Sequence, residues 1–276
     1  MMRLLLVALW VLYSGQLAAT EVYRSVDGDG NVSFSDQPAA KAENISVAPL
    51  SNRYQHQVDY VYDGDTLVLE NGERVRLLNI NAPEISSRHR DGEQGGEAAK
   101  AWLKQQIGNR PIYLRFDNEK RDKYDRLLAH IFLEDERHLN AEMLSEGLAS
   151  LTVHPPNLLY VDQMQAAQQQ AIDKQIGLWD GRAYPLKTTR ADLETSARRG
   201  WQRWQITPTE IKTTRSQIWL MAGERLSLRI RKEQLTLFDD PQAYLNKNLE
   251  VRGWLSRRGN DYFLQVLHPS AIDVLD

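Results

Sequence analysis

The spacing of apolar positions along this chain changes several times, and each change predicts a different element. Leu4 to Tyr13 is an unbroken apolar run. Glu21–Val26 and Val32–Ser35 alternate apolar and polar, with Asp27-Gly28-Asp29-Gly30-Asn31 between them, so residues 21–38 read as a β-hairpin. Gln37–Ser51, with two prolines and several alanines, reads as a linker. Strand patterns follow at His56–Tyr62, Thr66–Glu70 and Glu73–Ile80, the last two joined by the tight-turn pair Asn71-Gly72. A helix is expected from Glu97 to Ile107 with Ala98, Ala101 and Trp102 on one face, then strands at Ile112–Phe116 and Leu127–Leu133. Two more helices are expected, Asn140–Glu146 with Asn140 as its cap and Gly147 as its stop, and Tyr160–Gln175. Three strands, a helix, two strands and then helices predict a mainly β, α+β domain over residues 54–184: a five-stranded Greek-key barrel with three helices. Lys187–Gly200 reads as a polar linker or exposed helix. Ile218–Met221, Leu226–Arg231, Leu249–Leu255 and Tyr262–Leu267 are strand patterns again and predict a second small β-barrel over 201–276.

The start of the chain is a targeting segment rather than an element of the fold. Arg3, the apolar run to Tyr13 and the small-residue end Leu17-Ala18-Ala19-Thr20 have the three parts of a secretory signal peptide, with cleavage expected after Ala19 or Thr20. The expected destination is the periplasm or the exterior, with no stable membrane association after cleavage, because no later apolar run is long enough to span a bilayer. The chain has no Cys, so it carries neither disulfides nor a lipidated cysteine and depends on its core alone. Asp27, Asp29 and Asn31 begin like a calcium-binding loop, but Val32 and Pro38 stand where that loop needs glycine and glutamate, so the segment is read as a turn. The hairpin module resembles a short domain of unknown function found at the N-termini of exported bacterial proteins.

Charge divides the chain. Without Arg3 the exported chain has 33 basic and 37 acidic side chains. Residues 51–186 hold 16 basic against 21 acidic side chains, and residues 187–276 hold 15 against 11. An acidic middle followed by a basic end is compatible with nucleic-acid binding by that end. The six histidines have no metal-ligand spacing, and neither a Gly-x-Ser-x-Gly elbow nor a phosphate loop is present.

The chemistry concentrates in Asp63-Gly64-Asp65-Thr66, in Arg76 through Glu84, and in Asp122-Lys123-Tyr124-Asp125-Arg126. Phosphodiester hydrolysis needs a cation on the phosphate, a base for water, and fixed donors for the charge that grows in the transition state. Asp65, Asn81 and the Ala82 carbonyl are hard oxygen donors of the kind calcium accepts. Glu84, behind Pro83, is a candidate base, and Arg76 and Arg126 are candidate forks for phosphate oxygens. Each piece alone is most simply a turn, a solvated strand residue or a surface charge run; their joint order and spacing favour catalysis.

From Asp59 to about Trp179 these motifs, with Gly147-Leu148-Ala149, resemble the staphylococcal-type thermonuclease family, whose barrel is of the OB type. The resemblance implies that Asp65, Asn81 and the Ala82 carbonyl bind Ca2+, that Glu84 is the general base or orders the attacking water, and that Arg76 and Arg126 bind and stabilise the phosphoryl group. It implies further that Lys123 and Tyr124 hold a terminal phosphate and that Asp63 supports the metal site. The implied reaction is calcium-dependent endonucleolysis of DNA and RNA leaving 3′-phosphates. Three departures stand out. Asn81 occupies a position where the best-known members have a carboxylate, Asp125 replaces a glycine, and the base-stacking aromatic pair is absent from Leu151-Thr152-Val153-His154-Pro155-Pro156.

In residues 201–276, Trp and Tyr residues interleave with Arg225, Arg229, Arg231, Arg252, Arg257 and Arg258. The pattern fits a barrel core with a basic exterior, and it also fits a surface that stacks and neutralises single strands. The segment resembles an oligonucleotide-binding barrel that follows nuclease domains in some bacterial proteins. Every candidate catalytic residue precedes Arg182, so removal of 187–276 is expected to leave the catalytic apparatus intact. Two other readings remain: a catalytically silent nucleic-acid-binding protein and an envelope scaffolding protein.

Overall fold

The computed structural model describes residues 21–26, 32–35, 43–46, 54–87, 91–188, 190–195, 200–223 and 225–275. The expected signal peptide at residues 1–20 and the turn at 27–31 lie outside the described residues. The chain divides into two compact units, Met1–Arg53 and Tyr54–Asp276.

In the first unit, β1 (Glu21–Val26) pairs with β2 (Val32–Ser35) as expected. The expected linker, however, contains a third strand, β3 (Glu43–Ser46), antiparallel to the other edge of β1. A lone hairpin leaves open backbone groups on both edges, and a third strand satisfies one of them.

The second unit opens with a curled sheet. Its strands are β4 (Tyr54–His56), β5 (Val58–Val61), β6 (Thr66–Leu69), β7 (Arg74–Leu77), β9 (Ile112–Arg121) and β10 (Leu127–Phe132), in the order β4-β9-β10-β7-β6-β5. A short β8 (Ile80–Asn81) lies apart and pairs with β11 (Ser150–Leu151). The first expected strand, His56–Tyr62, is interrupted at Gln57: His56 ends β4 on one edge of the sheet, and Val58–Val61 forms β5 on the other. The third is divided after Leu77, where Asn79 takes a left-handed φ of 59°. The sheet, with α1 (Gly96–Ile107), α2 (Leu139–Ser145) and α3 (Val161–Lys174), encloses a core that includes Leu67, Val75, Leu77, Leu103, Ile131 and Met143, all at 1% exposure or less.

Two details depart from the sequence pattern. The buried face of α1 is Ala99, Leu103 and Ile107; of the expected face Trp102 packs against the core, whereas Ala98 and Ala101 are exposed. The helix begins at Gly96, tight against the carbonyls of Pro83 and Glu84, and this anchor sets its rotation. Asn140 does not cap α2: His138 precedes the helix and Asn140 is fully buried. Its amide accepts the Ile131 N–H at 2.9 Å and donates to the Leu78 carbonyl at 3.0 Å, satisfying backbone groups where the third expected strand breaks.

Beyond α3, β12 (Leu186–Lys187) and α4 (Arg190–Thr195) fill the expected linker. They lead to a mixed sheet of β13 (Gly200–Ile206), β14 (Glu210–Thr213), β15 (Gln217–Ala222), β16 (Leu226–Arg231), β17 (Asn248–Arg258), β18 (Asp261–Val266) and β19 (Ile272–Leu275). One face packs around Trp204, Leu228, Val251 and Leu264. This sheet is not a detached appendage. Trp201 on β13 is buried with Trp179 and Ala171, and Tyr184 stacks edge-on to Trp201 at 4.7 Å. The guanidinium groups of Arg203 and Arg252 lie 4.9 Å and 5.2 Å from the Trp179 ring, and Glu250 accepts from both at 2.9 Å and 2.8 Å. The expectation for a truncated chain therefore changes: removing 187–276 would expose Trp179 and part of α3, although every candidate catalytic residue would remain.

Candidate active site

The Asp63-Gly64-Asp65 turn is shaped by its own side chains. Asp63 accepts the Asp65 N–H at 3.0 Å, a local bond that tightens the turn closed by the Tyr62 and Asp63 N–H groups donating to the Thr66 carbonyl. Gly64 is required by close approach: a Cβ there would lie 2.5 Å from the Ala82 methyl and 2.7 Å from that of Ala99. The turn is thereby pressed between the end of β8 and the first turn of α1, and the Asp65 carboxylate points inward.

That carboxylate is buried and heavily engaged. One oxygen accepts the Ala82 N–H at 2.8 Å and pairs with Arg76 Nη1 at 3.0 Å; the other accepts the Thr66 hydroxyl at 3.1 Å. Burial pushes the Asp65 carboxyl up to about 6, Arg76 opposes that rise, and the neighbouring Asp63 adds to it. Arg76 sits opposite Thr66 across β6 and β7, which fixes the pairing, and its Nη1 also donates to the Leu77 carbonyl at 3.1 Å.

A cleft of about 920 Å³ opens beside this pair. Its wall brings together Arg76, Asn81, Lys123, Tyr124 and Arg126, five of the residues singled out in the sequence. Asn81 is held on β8, opposite Ser150. The break that separates β8 from β7 is stabilised by Asn79, which accepts the His154 N–H and donates to the Asn157 carbonyl. His154 also lines the cleft; burial and the charge of Arg76 lower its pKa, so it is neutral at pH 7.

Arg126 is positioned by Asp122 across the turn joining β9 to β10. The Asp122 carboxylate accepts the N–H groups of Tyr124 and Arg126 and pairs with Nε and Nη2 of Arg126 at 2.8 Å and 2.7 Å. Burial would raise the Asp122 pKa, but these donors hold it below the ordinary carboxylate value. Asp125 adopts a left-handed φ of 61° where a glycine would be at ease. Its carboxylate pairs with Arg121 at 3.3 Å, and Arg121 also forks onto Glu73. The Tyr124 ring is 60% exposed, with Lys123 Nζ 4.9 Å from its centroid.

Glu84, Asp63, Asp65 and the buried Ala82 are not part of the cleft lining. Glu84 is half-buried on the loop entering α1, whose backbone is clamped by Glu93: the Glu93 N–H donates to the Glu84 carbonyl at 2.7 Å and the Glu84 N–H to Glu93 Oε2 at 3.2 Å. The Tyr184 hydroxyl donates to the same Oε2 at 3.0 Å, linking this loop to the segment that enters the second sheet. Sequence reasoning missed Glu93, Asp122 and the buried asparagines as positioning groups. A Glu nine residues beyond Glu84 and an Asp four before Arg126 were the available signals.

Among the described residues no three His, Asp or Glu side chains converge as metal ligands. Of the three oxygen donors expected for a metal, the Asp65 carboxylate meets Ala82 through the Ala82 N–H at 2.8 Å, and Asn81 lies on the cleft wall. Burial raises the Asp65 pKa more than Arg76 lowers it, so this carboxylate carries an incompletely offset negative charge.

Residues 74–181 match the family model described as Staphylococcal nuclease homologue, and residues 8–54 match the Domain of unknown function DUF4124. The chain is 36% identical over 126 residues to the Thermonuclease of Staphylococcus intermedius, an overlap of 45% of this chain and 74% of that protein. It is 27% identical over 132 residues to the Thermonuclease of Staphylococcus hyicus, spanning 47% and 78% of the two chains. With Endonuclease YncB of Bacillus subtilis it shares 33% identity over 132 residues, spanning 46% and 62%.

Proposed function

The chain belongs to the staphylococcal nuclease family and is a nuclease, and on that premise we propose that it is an exported, calcium-dependent endonuclease that hydrolyses DNA and RNA to 3′-phosphate ends. The observation that carries this reading is the buried Asp65–Arg76 pair beside a cleft that also holds Asn81, Lys123, Tyr124 and Arg126. Glu84 and both arginines are retained, which favours catalysis over silent binding.

Asp65, Asn81 and the Ala82 carbonyl would hold the calcium ion, which when bound supplies charge to the scissile phosphate and orders a water molecule. Arg76 and Arg126 would donate to the non-bridging phosphate oxygens, where negative charge grows in the pentacoordinate transition state. Asp122 occupies the Nε–Nη2 edge of Arg126 and so presents the rest of the guanidinium in a set orientation. Glu84 would take the proton of the attacking water, the water oxygen joining phosphorus as the bond to the 5′-oxygen breaks. Lys123 and the exposed Tyr124 would engage a terminal phosphate. Asp63 acts on the metal site through the Asp65 N–H.

Export is supported by the Arg3–Thr20 leader pattern. Among the described residues no helix is long and apolar enough to cross a membrane.

The deciding assay is purified mature protein on plasmid and single-stranded DNA, with calcium or with excess chelator. Calcium-dependent nicking, with product ends that a 3′-phosphatase makes extendable by polymerase, is expected. Binding without cleavage would replace this reading with the silent nucleic-acid-binding one, and full cleavage in chelator would remove calcium from it.

A further inference from the structure

The wall of the cleft takes one residue from the second sheet: Trp254, on β17. Of the six described tryptophans, three are buried and two are partly buried. Trp179, Trp201 and Trp204 are each 5% exposed or less, whereas Trp254 is 42% exposed. An indole left open in a cleft that also bears Lys120 and Lys123, beside the ion-paired Arg121 and Arg126 and the acidic Glu119 and Asp122, has the chemistry of a base-stacking platform next to cations that can meet a phosphate.

Its position relative to the cleft is fixed by packing. Trp254 is directly opposite Trp201 across the β13–β17 ladder, and Trp201 is buried against Trp179 and Tyr184. The Arg203–Glu250–Arg252 network brackets the same Trp179 ring, and Arg252 also pairs with Asp273. The strand carrying Trp254 is therefore tied on its cleft side to the segment that follows α3.

The surface continues beyond Trp254. Strand alternation puts Ser256 and Arg258 on the face of Trp254, and Phe263 lies opposite Ser256 on β18. Next to Phe263 sits Arg229, 4.3 Å from its ring and 5.8 Å from that of Trp219, while Trp219 meets Phe263 edge-on at 5.5 Å. Partial burial and the nearby positive charges of Arg231 and Arg258 depress the Arg229 pKa, so this face concentrates cationic charge on an aromatic floor. The opposite face of the same strands is the apolar core.

We propose that a single nucleic-acid strand leaving the catalytic cleft stacks a base on Trp254 and runs onto the Arg258–Phe263–Arg229 face of the second sheet. The proposal deepens the nuclease reading and rests on it for the identity of the ligand. It makes Trp254 a substrate-binding residue contributed by the C-terminal sheet, and it predicts a preference for substrates long enough to reach from the cleft to that sheet.

The test uses the full-length mature chain. Binding of a fluorescently labelled twelve-nucleotide oligothymidylate is followed by anisotropy in chelator, and cleavage of the same oligonucleotide is followed in calcium. Trp254→Ala should weaken binding about tenfold, and Trp254→Phe should restore most of it, as stacking on a ring requires. In cleavage, Trp254→Ala should raise KM for the oligonucleotide with little change in kcat. Arg258→Ala should lower the slope of log affinity against log salt by roughly 0.7. Wild-type Kd and KM in Trp254→Ala, with wild-type cleavage intact, would overturn the stacking role and leave the nuclease reading standing. Loss of binding in Trp254→Ala when the wild-type chain binds but does not cut would do the reverse. A wild-type chain that neither binds nor cuts would overturn both.

Discussion

Asp65→Asn should make the protein more stable and less active. The Asp65 carboxyl is pushed from an ordinary value of 3.8 to about 6, with burial the largest cause. A shift of about two pH units corresponds to roughly 3 kcal/mol of folding free energy that the ionised form withholds at neutral pH. The sign follows from proton binding. The folded state takes up the proton at higher pH than the unfolded chain, so Asp65 lowers stability above pH 6 and ceases to do so as pH falls toward 4. Asn presents a neutral group of similar shape. Its carbonyl can accept the Ala82 N–H, and its amide can donate to Thr66 Oγ1, whose hydroxyl now points the other way. Arg76 loses its anionic partner, which returns part of the gain, but keeps the Leu77 carbonyl. A net gain of about 2 kcal/mol at pH 7 is expected, some 4–8 °C in melting temperature for a unit of this size. The measurement is thermal unfolding in chelator at pH 7.5 and pH 4.5, with calcium added in a separate series. The variant should exceed wild type at pH 7.5, and the two should converge at pH 4.5. Calcium should stabilise only the wild type, through mass action on the folded state. A variant less stable than wild type at pH 7.5 without calcium would refute the reasoning, since the burial penalty would then not be the dominant feature of the site.

Three further outcomes follow from the same geometry. Arg126→Ala should lower kcat by about 10²–10³, while Asp122→Asn, which only loosens the turn holding that guanidinium, should cost less, and equal losses in steady-state assays would contradict the positioning role of Asp122. Asn81→Asp should tighten calcium binding by adding a ligand charge, as read by calorimetric titration, and weaker binding would place the metal elsewhere. Glu250→Gln should cost roughly 2 kcal/mol at pH 7, because Arg203 and Arg252 lose their shared anion. Burial raises the Glu250 pKa, but the two arginines outweigh it and hold the group below its ordinary 4.5, so its contribution is present above about pH 4.5 and is lost as pH falls through the lower folded value. Denaturant titrations should therefore show the wild-type advantage shrinking in acid, and an advantage independent of pH would exclude the ion network as its source.

Local chemistry was legible from the chain alone. The Asp63-Gly64-Asp65 turn, the alternating strands from Thr66 to Leu77 and from Leu127 to Phe132, and the Arg257–Asn260 hairpin turn all depend on short-range backbone preferences, and each is found in place. Five of the expected site residues, Arg76, Asn81, Lys123, Tyr124 and Arg126, share one cleft, whereas Asp63, Asp65, Ala82 and Glu84 do not line it. What the chain could not show is what depends on contacts between distant segments. The phase of α1 was misjudged because two close approaches, Gly96 to the carbonyls of Pro83 and Glu84 and Ala99 to Gly64, and not the helix's own apolar count, set its rotation. Asn140 looked like a cap because its amide suits one, yet the unpaired Leu78 carbonyl and Ile131 N–H at a strand break claim it first. The strand at Glu43–Ser46 is too polar and too short to be recognised until the open edge of β1 is known. The same holds for Trp254. In the sequence it is one aromatic residue in a strand, more simply core than surface. Only the packing of Trp201 on Trp179 brings its face to the cleft, because such a placement is a property of two sheets joined through a shared buried cluster and of no segment alone.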